Sequence, residues 1–171
     1  MAVTATTPTR ILLGAGDITI GVTPVGATME NTVFRVEKTE YFPKFNGVLG
    51  DVDQTGFITR LVPILEATMA EVHGWLLALG LPGITMTSDV SSEVLSDYVP
   101  GCKPAGQDIT WTGQDCDGHD VTINIYNAIV TSNLELEFSD DNIVAYRYTF
   151  QGLYDPANPT VAPFTMVVDI A

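Results

Sequence analysis

The chain has 171 residues, 46% hydrophobic and only 16% charged, with 7 Lys and Arg against 21 Asp and Glu for a net charge of −14. That length suits one domain, residues 1–171, with a sizeable core, and the acidity excludes a stable nucleic-acid binder, which draws affinity from Lys and Arg set against phosphates. So low a charge content points to apolar surface covered by other subunits, the alternative being a β-rich monomer with an uncharged Thr/Asn/Ser surface. Ile11–Leu13 after the single Arg10 is too brief for a secretory core, and the longest apolar run, Trp75 to Leu81, falls far short of a membrane span, so no membrane association is expected.

In chain order, residues 1–13 read as an N-terminal arm rich in Thr, Ala and Pro. Gly14-Ala15-Gly16 breaks the chain before a short strand, Asp17–Gly21. These glycines are no phosphate-binding fingerprint, since the third glycine is missing and no helix follows. After the Thr23–Gly26 loop, Thr32–Phe45 reads as a strand in which Phe34 and Val36 alternate with Arg35 and Glu37. Beyond Lys38 and Glu40 the pattern turns charged, so this half leaves the core and projects. Asn46-Gly47 is a tight-turn signal, and Val48-Leu49-Gly50-Asp51 leads back towards Phe57, which predicts a long β-hairpin with a projecting loop over residues 40–56. Residues 57–68 fit either a strand, with Pro63 at an edge or bulge, or a helix starting at Pro63. Met69–Leu79 reads as a helix ended by Gly80 and Pro82, with an apolar stripe of Val72, Trp75, Leu76 and Leu79. A short strand, Ile84–Thr87, precedes a long irregular loop reaching to 107, a feature that tends to be functional or to touch a neighbour. Asp108–Thr112 is a strand feeding a turn at Asp117-Gly118, and Phe164–Asp169 closes the sequence as a last strand.

The firmest pattern runs from Asp120 to Asp155, read as three consecutive antiparallel strands. Val130, Leu134, Leu136 and Phe138 alternate with Thr131, Asn133, Glu135 and Glu137, and Val144, Tyr146, Tyr148 and Phe150 alternate with Arg147 and Thr149. Period 2 means one buried and one polar face. A three-residue loop, Asp140-Asp141-Asn142, sets Phe138 against Val144, Leu136 against Tyr146 and Leu134 against Tyr148, and keeps the apolar side dry. It also sets Glu135 opposite Arg147, an opposite-charge pair worth ~0.2–1 kcal/mol. A short turn near Asn127-Ala128 is expected to bring Ile125 beside Val130.

Candidate chemistry is sparse. Asp51, Asp53, Thr55 and Gly56 match the first positions of a calcium loop, but Val62 stands where a bidentate glutamate is required and Pro43, Gly47 and Gly50 forbid the preceding helix, so turn chemistry explains them. His73 and His119 have no metal-ligand partner at a diagnostic spacing, no nucleophile elbow or phosphate loop is present, and the titratable groups are scattered. No catalytic residue, metal or cofactor is expected. Cys102 and Cys116 are open between a bridge across the loop that joins them and a pair of free buried thiols.

Taken together, several stretches resemble the major tail tube proteins of long-tailed bacteriophages: Leu13–Gly21, the Asn46–Asp51 projection, Trp75–Gly80, Asp117–Ile123 with Asn127-Ala128, and Tyr146–Phe150 ending in Tyr154-Asp155-Pro156. The resemblance covers most of the chain. It implies an antiparallel β-sandwich or barrel-like tail tube fold with one flanking helix, assembled into hexameric rings that stack into the conduit for genome delivery, with DNA passing and not held. Inter-ring contact residues would then be Asn46, Gly47, Val48, Leu49, Gly50, Asp51 and Asp53, and lumen-facing ones Thr131, Asn133, Glu135, Glu137 and Arg147. It further implies tape measure, tail terminator and distal tail partners, and a virion location after synthesis in the host cytoplasm. The alternative is a β-sandwich binding module for carbohydrate or calcium on a virion surface, which would present Trp111 or Tyr126 in a groove.

Overall fold

The computed structural model describes residues 12–44, 46, 56–115, 118–136 and 145–169. Its strands are β1 (Leu12–Ile20), β2 (Thr23–Pro24), β3 (Thr28–Tyr41), β4 (Phe57–Met69), β5 (Ile84–Ser88), β6 (Glu93–Tyr98), β7 (Gln107–Asp115), β8 (Asp120–Val130), β9 (Tyr146–Gln151) and β10 (Phe164–Val168), and the one helix among the described residues is α1 (Gly74–Leu79). Eight strands form an antiparallel sheet in the order β2-β1-β7-β8-β9-β4-β3, with β10 laid against β8. The sheet curls into a half-barrel, while β5 and β6 pair as a separate hairpin.

The curl turns on β8. Its first part pairs with β7 on one edge and β10 on the other, and its last two residues, Ile129 and Val130, pair with Gln151 and Phe150 of β9. Val121, Ile123 and Ile125 face the core with odd numbers, and Ala128 is again buried with an even one, so one extra residue has been inserted between them. A bulge does this: it places two residues opposite one, bends the strand and swaps the parity of everything beyond it. Asn127 carries the bulge at φ 49°, in the left-handed region. Its amide donates to Asp108 Oδ1 at 3.0 Å, and the Tyr126 amide donates to the Pro163 carbonyl at 2.9 Å. The turn expected at Asn127-Ala128 is therefore a bulge within one continuous strand, because the change of phase that suggested a hairpin is met by a single left-handed residue.

Beyond the bulge the expected faces hold, although the ladder does not. Thr131, Asn133 and Glu135 are exposed while Leu134 and Leu136 pack against the core. Val130 opposes Phe150, two residues from the expected register, and an even shift leaves every side chain on its face. Residues 131–136 are not strand, because Ser132 intervenes: its hydroxyl accepts from the Thr149 amide and donates to the Arg147 carbonyl, taking positions that backbone groups fill in a ladder. Phe138, Val144 and the Asp140–Asn142 turn lie outside the described residues.

Residues 57–69 are a strand throughout, β4, held between β3 and β9. Pro63 fits because the β9 ladder ends at Ile64, and its carbonyl still accepts from the Gly152 amide at 3.0 Å. The helix is shorter than expected, starting at Gly74, so Val72 lies outside it and is exposed. Gly14–Gly16 does not break the chain but forms an irregularity inside β1, which also takes in Leu12 and Leu13; residues 1–11 lie outside the described set. The stretch expected to be irregular after Thr87 contains β6, whose Glu93–Tyr98 pairs with β5.

The core lies inside the half-barrel. Tyr146, Tyr148 and Phe150 are buried from β9 and meet edge to face at centroid spacings of 5.2 and 5.9 Å. They pack with Leu65, Ala67 and Met69 of β4, Leu76 of α1, and Ile18, Ile109 and Ile123 of the other half. Trp111 is 6% exposed, so it is a core residue and not a groove aromatic. Its indole covers Gly16 and Gly113, which oppose each other, and a Cβ on either would come within 2.6 Å of the ring. The aromatic ring replaces side-chain packing that the two glycines lack. Cys102 is free and exposed, against the expectation of a buried thiol, and Cys116 lies outside the described residues.

Asn127→Val should destabilise the fold by about 1–2 kcal/mol, because a β-branched residue resists the left-handed region, whereas Asn127→Gly should leave the denaturant midpoint nearly unchanged. Chemical denaturation of the two variants checks this.

Candidate functional site: polar face, open edges and projecting hairpin

The outer face of β3, β4 and β9 carries a charge cluster. Glu66 is the only charged residue between Leu61 and Ala70, and its side chain reaches diagonally across both neighbours, bonding the Arg35 guanidinium on β3 and the Arg147 guanidinium on β9. Glu37 binds Arg35 from its other side at 3.3 Å. The Arg35 hydrogen bond is the main cause holding the Glu66 carboxyl below the usual range, with Arg147 adding to it and partial desolvation opposing. Arg147 therefore pairs with Glu66 and not with the expected Glu135, since strand β4 separates Arg35 from Arg147 and supplies the nearer carboxylate. Arg147, Asn133 and Glu135 line a shallow hollow of about 510 Å³ on this face. Of the residues expected to face a lumen, Thr131, Asn133, Glu135 and Arg147 are thus exposed on one side, and Glu137 lies outside the described residues.

The sheet is open at its ends. Among the described residues β3 pairs only with β4, β10 only with β8, and β1 meets β2 over just two residues on its outer edge. An unpaired edge is a row of free backbone donors and acceptors, ready to take another strand. Met166 and Val167 on β10 are half-exposed, where a solvated edge would carry charge.

The β3–β4 hairpin stays paired out to Tyr41 and Phe57. Its outer half is solvent-exposed, with Tyr41 59% and Phe57 61% accessible and directly opposite one another. Asn46 is exposed and lies in a turn. Gly47, Val48, Leu49, Gly50, Asp51 and Asp53 lie outside the described residues.

Two carboxylates that sequence reasoning passed over tie the small hairpin and the helix to this body. Glu93 of β6 accepts from the Gly74 amide at 2.5 Å, capping α1, whose own N-cap His73 makes no side-chain cap bond. Glu71 accepts from the Ala27 amide at 3.0 Å and from His73 Nε2 at 3.1 Å, contacts that hold its carboxyl below the usual range. The Gly74 and Ala27 amides lie 19 and 44 residues from the carboxylates that bind them, so no local motif announces these two contacts. Burial pushes the Tyr146 and Tyr148 phenols upward, Tyr148 to about 12, and Tyr146 donates to the Glu71 carbonyl at 2.7 Å. Among the described residues no group of three or more His, Cys, Asp or Glu could hold a metal ion, and no helix is long and apolar enough to cross a membrane.

No protein-family model matches the chain, and no curated protein matches it in sequence. Solved structures share the fold. A chain in the cryo-EM structure of the anti-feeding prophage cap, the AFP tube terminating cap, matches with a TM-score of 0.51 at 12% identity over 99% of this chain and 95% of the other. A chain in the sheath–tube complex of the extracellular contractile injection system PVC, in its extended state, matches with a TM-score of 0.51 at 13% identity, over 95% and 94%. The fold is thus shared across nearly the full length with chains of contractile-injection tube assemblies, which is a coarser likeness than to the major tail protein of long-tailed phages in particular.

Two outcomes follow from the carboxylates. Glu93→Ala should cost about 1 kcal/mol by removing the helix cap, read as a lower denaturant midpoint. Glu66, Glu71 and Asp155 all have depressed folded-state values, so the stability they supply is full above the unfolded carboxylate range, about pH 4–4.5, and is lost as pH falls through the lower folded values. Denaturant midpoints should fall between pH 5 and 3, and Glu66→Gln should flatten that slope.

Proposed function

We propose that this chain is a structural subunit that assembles with copies of itself into hexameric rings stacked as a phage-type tail tube. The observation that carries the proposal is the open, curled sheet, of a fold shared with tube-assembly chains, whose end strands have no partner on their outer edges among the described residues. Six copies would complete one another's edges and close a barrel, which removes the edge liability altogether. In that arrangement the face bearing Thr131, Asn133, Glu135, Glu137 and Arg147 lines the lumen, and the loop from Asn46 through Gly47, Val48, Leu49, Gly50 and Asp51 to Asp53 contacts the next ring. An acidic wall repels a polyanion, so DNA would pass without being retained. The implied partners are tape measure, terminator and distal tail proteins, the location is a virion tail after synthesis in a host cytoplasm, and the role is not enzymatic.

A second reading is a cap that ends a tube, favoured by the likeness to a chain of the tube terminating cap. Of the two aromatics the carbohydrate-binding alternative would use, Trp111 is buried, whereas Tyr126 is partly exposed and lines a hollow of about 320 Å³ with Asp108, Leu153 and Asp155.

Negative-stain electron microscopy of the purified protein over a concentration series tests the proposal. Hollow tubes or stacked six-fold rings are expected; single rings that never stack would favour the cap, and a monomer at every concentration would overturn both.

A further inference from the structure

We infer that the hollow beside the β8 bulge, between Tyr126 and the loop that joins β9 to β10, binds a neutral saccharide. Its volume is about 320 Å³, at the small end of the roughly 300–1,000 Å³ usual for ligand pockets, so it suits one sugar residue and not a long chain. The apolar part of its lining is the Tyr126 ring with Leu153 and Val161, all three open to solvent. Asp108, Asp155 and Asn158 supply the polar part, and no Lys, Arg or His of the described residues lines it.

These walls are fixed before a ligand arrives. The Tyr126 amide donates to the Pro163 carbonyl at 2.9 Å, and the Tyr126 hydroxyl lies 3.1 Å from Thr165 Oγ1, so the ring is tied at both ends. Asp108 is anchored through the oxygen that accepts the Asn127 amide at 3.0 Å, and its other oxygen has no partner among the described residues. Asp155 accepts from the Ala157 amide at 2.9 Å and from Asn158 Nδ2 at 3.0 Å, while the Val161 amide donates to the Asn158 carbonyl at 3.1 Å. Side chains already ordered cost little further entropy when they bind.

The mixture of groups selects the class of ligand. The carboxylates only accept hydrogen bonds, whereas the side-chain amides of Asn127 and Asn158, which also line the hollow, donate as well as accept. A hydroxyl does both, so neighbouring hydroxyls of one ring can bridge a carboxylate and an amide. An anion would meet two carboxylates with no cation beside them, and an alkylammonium offers the amide donors no acceptor. The C–H face of a pyranose is apolar and packs flat on an aromatic ring, the part left to Tyr126 with its hydroxyl held at the edge. The site is complete within one copy, so binding does not depend on assembly.

Saturation-transfer difference NMR on the full chain tests this, with the methyl glycosides of glucose, galactose, mannose and N-acetylglucosamine offered in turn. Transfer to the ring C–H protons of at least one glycoside is expected. Asp108→Asn keeps the oxygen that accepts the Asn127 amide but loses the charge, and should weaken that glycoside at least ~10-fold with the denaturant midpoint unchanged. Val161→Arg, at an exposed position on the mouth, should weaken it as much by filling the hollow. Tyr126→Ala should abolish transfer and Tyr126→Phe should retain it; if Tyr126→Ala does not fold, the other variants decide. Transfer to none of the glycosides, or equal transfer in the parent, Asp108→Asn and Val161→Arg, overturns the site. Transfer only to the methylenes of putrescine, fading with added salt, would mark an ammonium site and overturn the saccharide assignment.

Discussion

A single left-handed residue sets the shape of this protein. With Asn127 in that conformation, β8 changes the face it presents partway along and can serve two halves of a sheet, pairing with β7 and β10 before the bulge and with β9 after it. Without the extra residue, Ala128 and Val130 would face away from the core side occupied by Val121, Ile123 and Ile125. The side chains that fill the half-barrel, Tyr146, Tyr148 and Phe150 from one half and Ile109, Trp111 and Ile123 from the other, depend on that bend to converge. Asp108 secures it by accepting the Asn127 amide, so the bulge costs no buried donor.

The bend leaves a consequence at the edges. A half-barrel has two ends, and here they are β3, the longest strand, and β1 with only a two-residue partner. Soluble monomers usually protect such ends with charge, proline or a covering loop. This chain places charge on β3, with Arg35, Glu37, Lys38 and Glu40, but spends few charged residues elsewhere and exposes Met166, Val167, Tyr41 and Phe57. If copies of the chain assemble as proposed, low charge content and open edges are one property seen twice, since surface covered by another subunit needs neither charge nor capping.

How much of this was legible in the sequence depended on whether the cause was local. The alternation of Tyr146, Tyr148 and Phe150 with Arg147 and Thr149 fixed the faces of β9, and Thr131–Leu136 kept its faces even where Ser132 replaced the ladder. The charged outer half of β3 with Asn46-Gly47 announced a long hairpin. Residues whose role is set by distant partners stayed hidden. A phase change at Asn127 is equally a turn or a bulge until β7 and β10 are placed beside it. Pro63 argued against a strand because the end of the β9 ladder, which accommodates it, lies 88 residues away at Gln151, opposite Ile64. Nothing local marks Glu93, although it caps a helix 19 residues earlier. Trp111 looked available for a ligand because nothing local shows that Gly16 and Gly113 make a bed for its ring.

The polar face shows how an acidic chain can present arginines without presenting positive charge. Arg35 and Arg147 lie on strands either side of β4, and Glu66 is placed between them where one carboxylate satisfies both. Glu37 adds a second negative neighbour to Arg35, so the four groups carry two positive and two negative charges in one patch. Guanidiniums held this way have their hydrogen-bond donors directed at carboxylates, and a phosphate would have to displace an existing charge-assisted pair to reach them. The cluster also spans β3, β4 and β9, so it joins neighbouring strands across the face while cancelling their charge. If copies of the chain close a channel with this face inward, the same bonds that hold the strands together are those that deny a passing polyanion a place to bind.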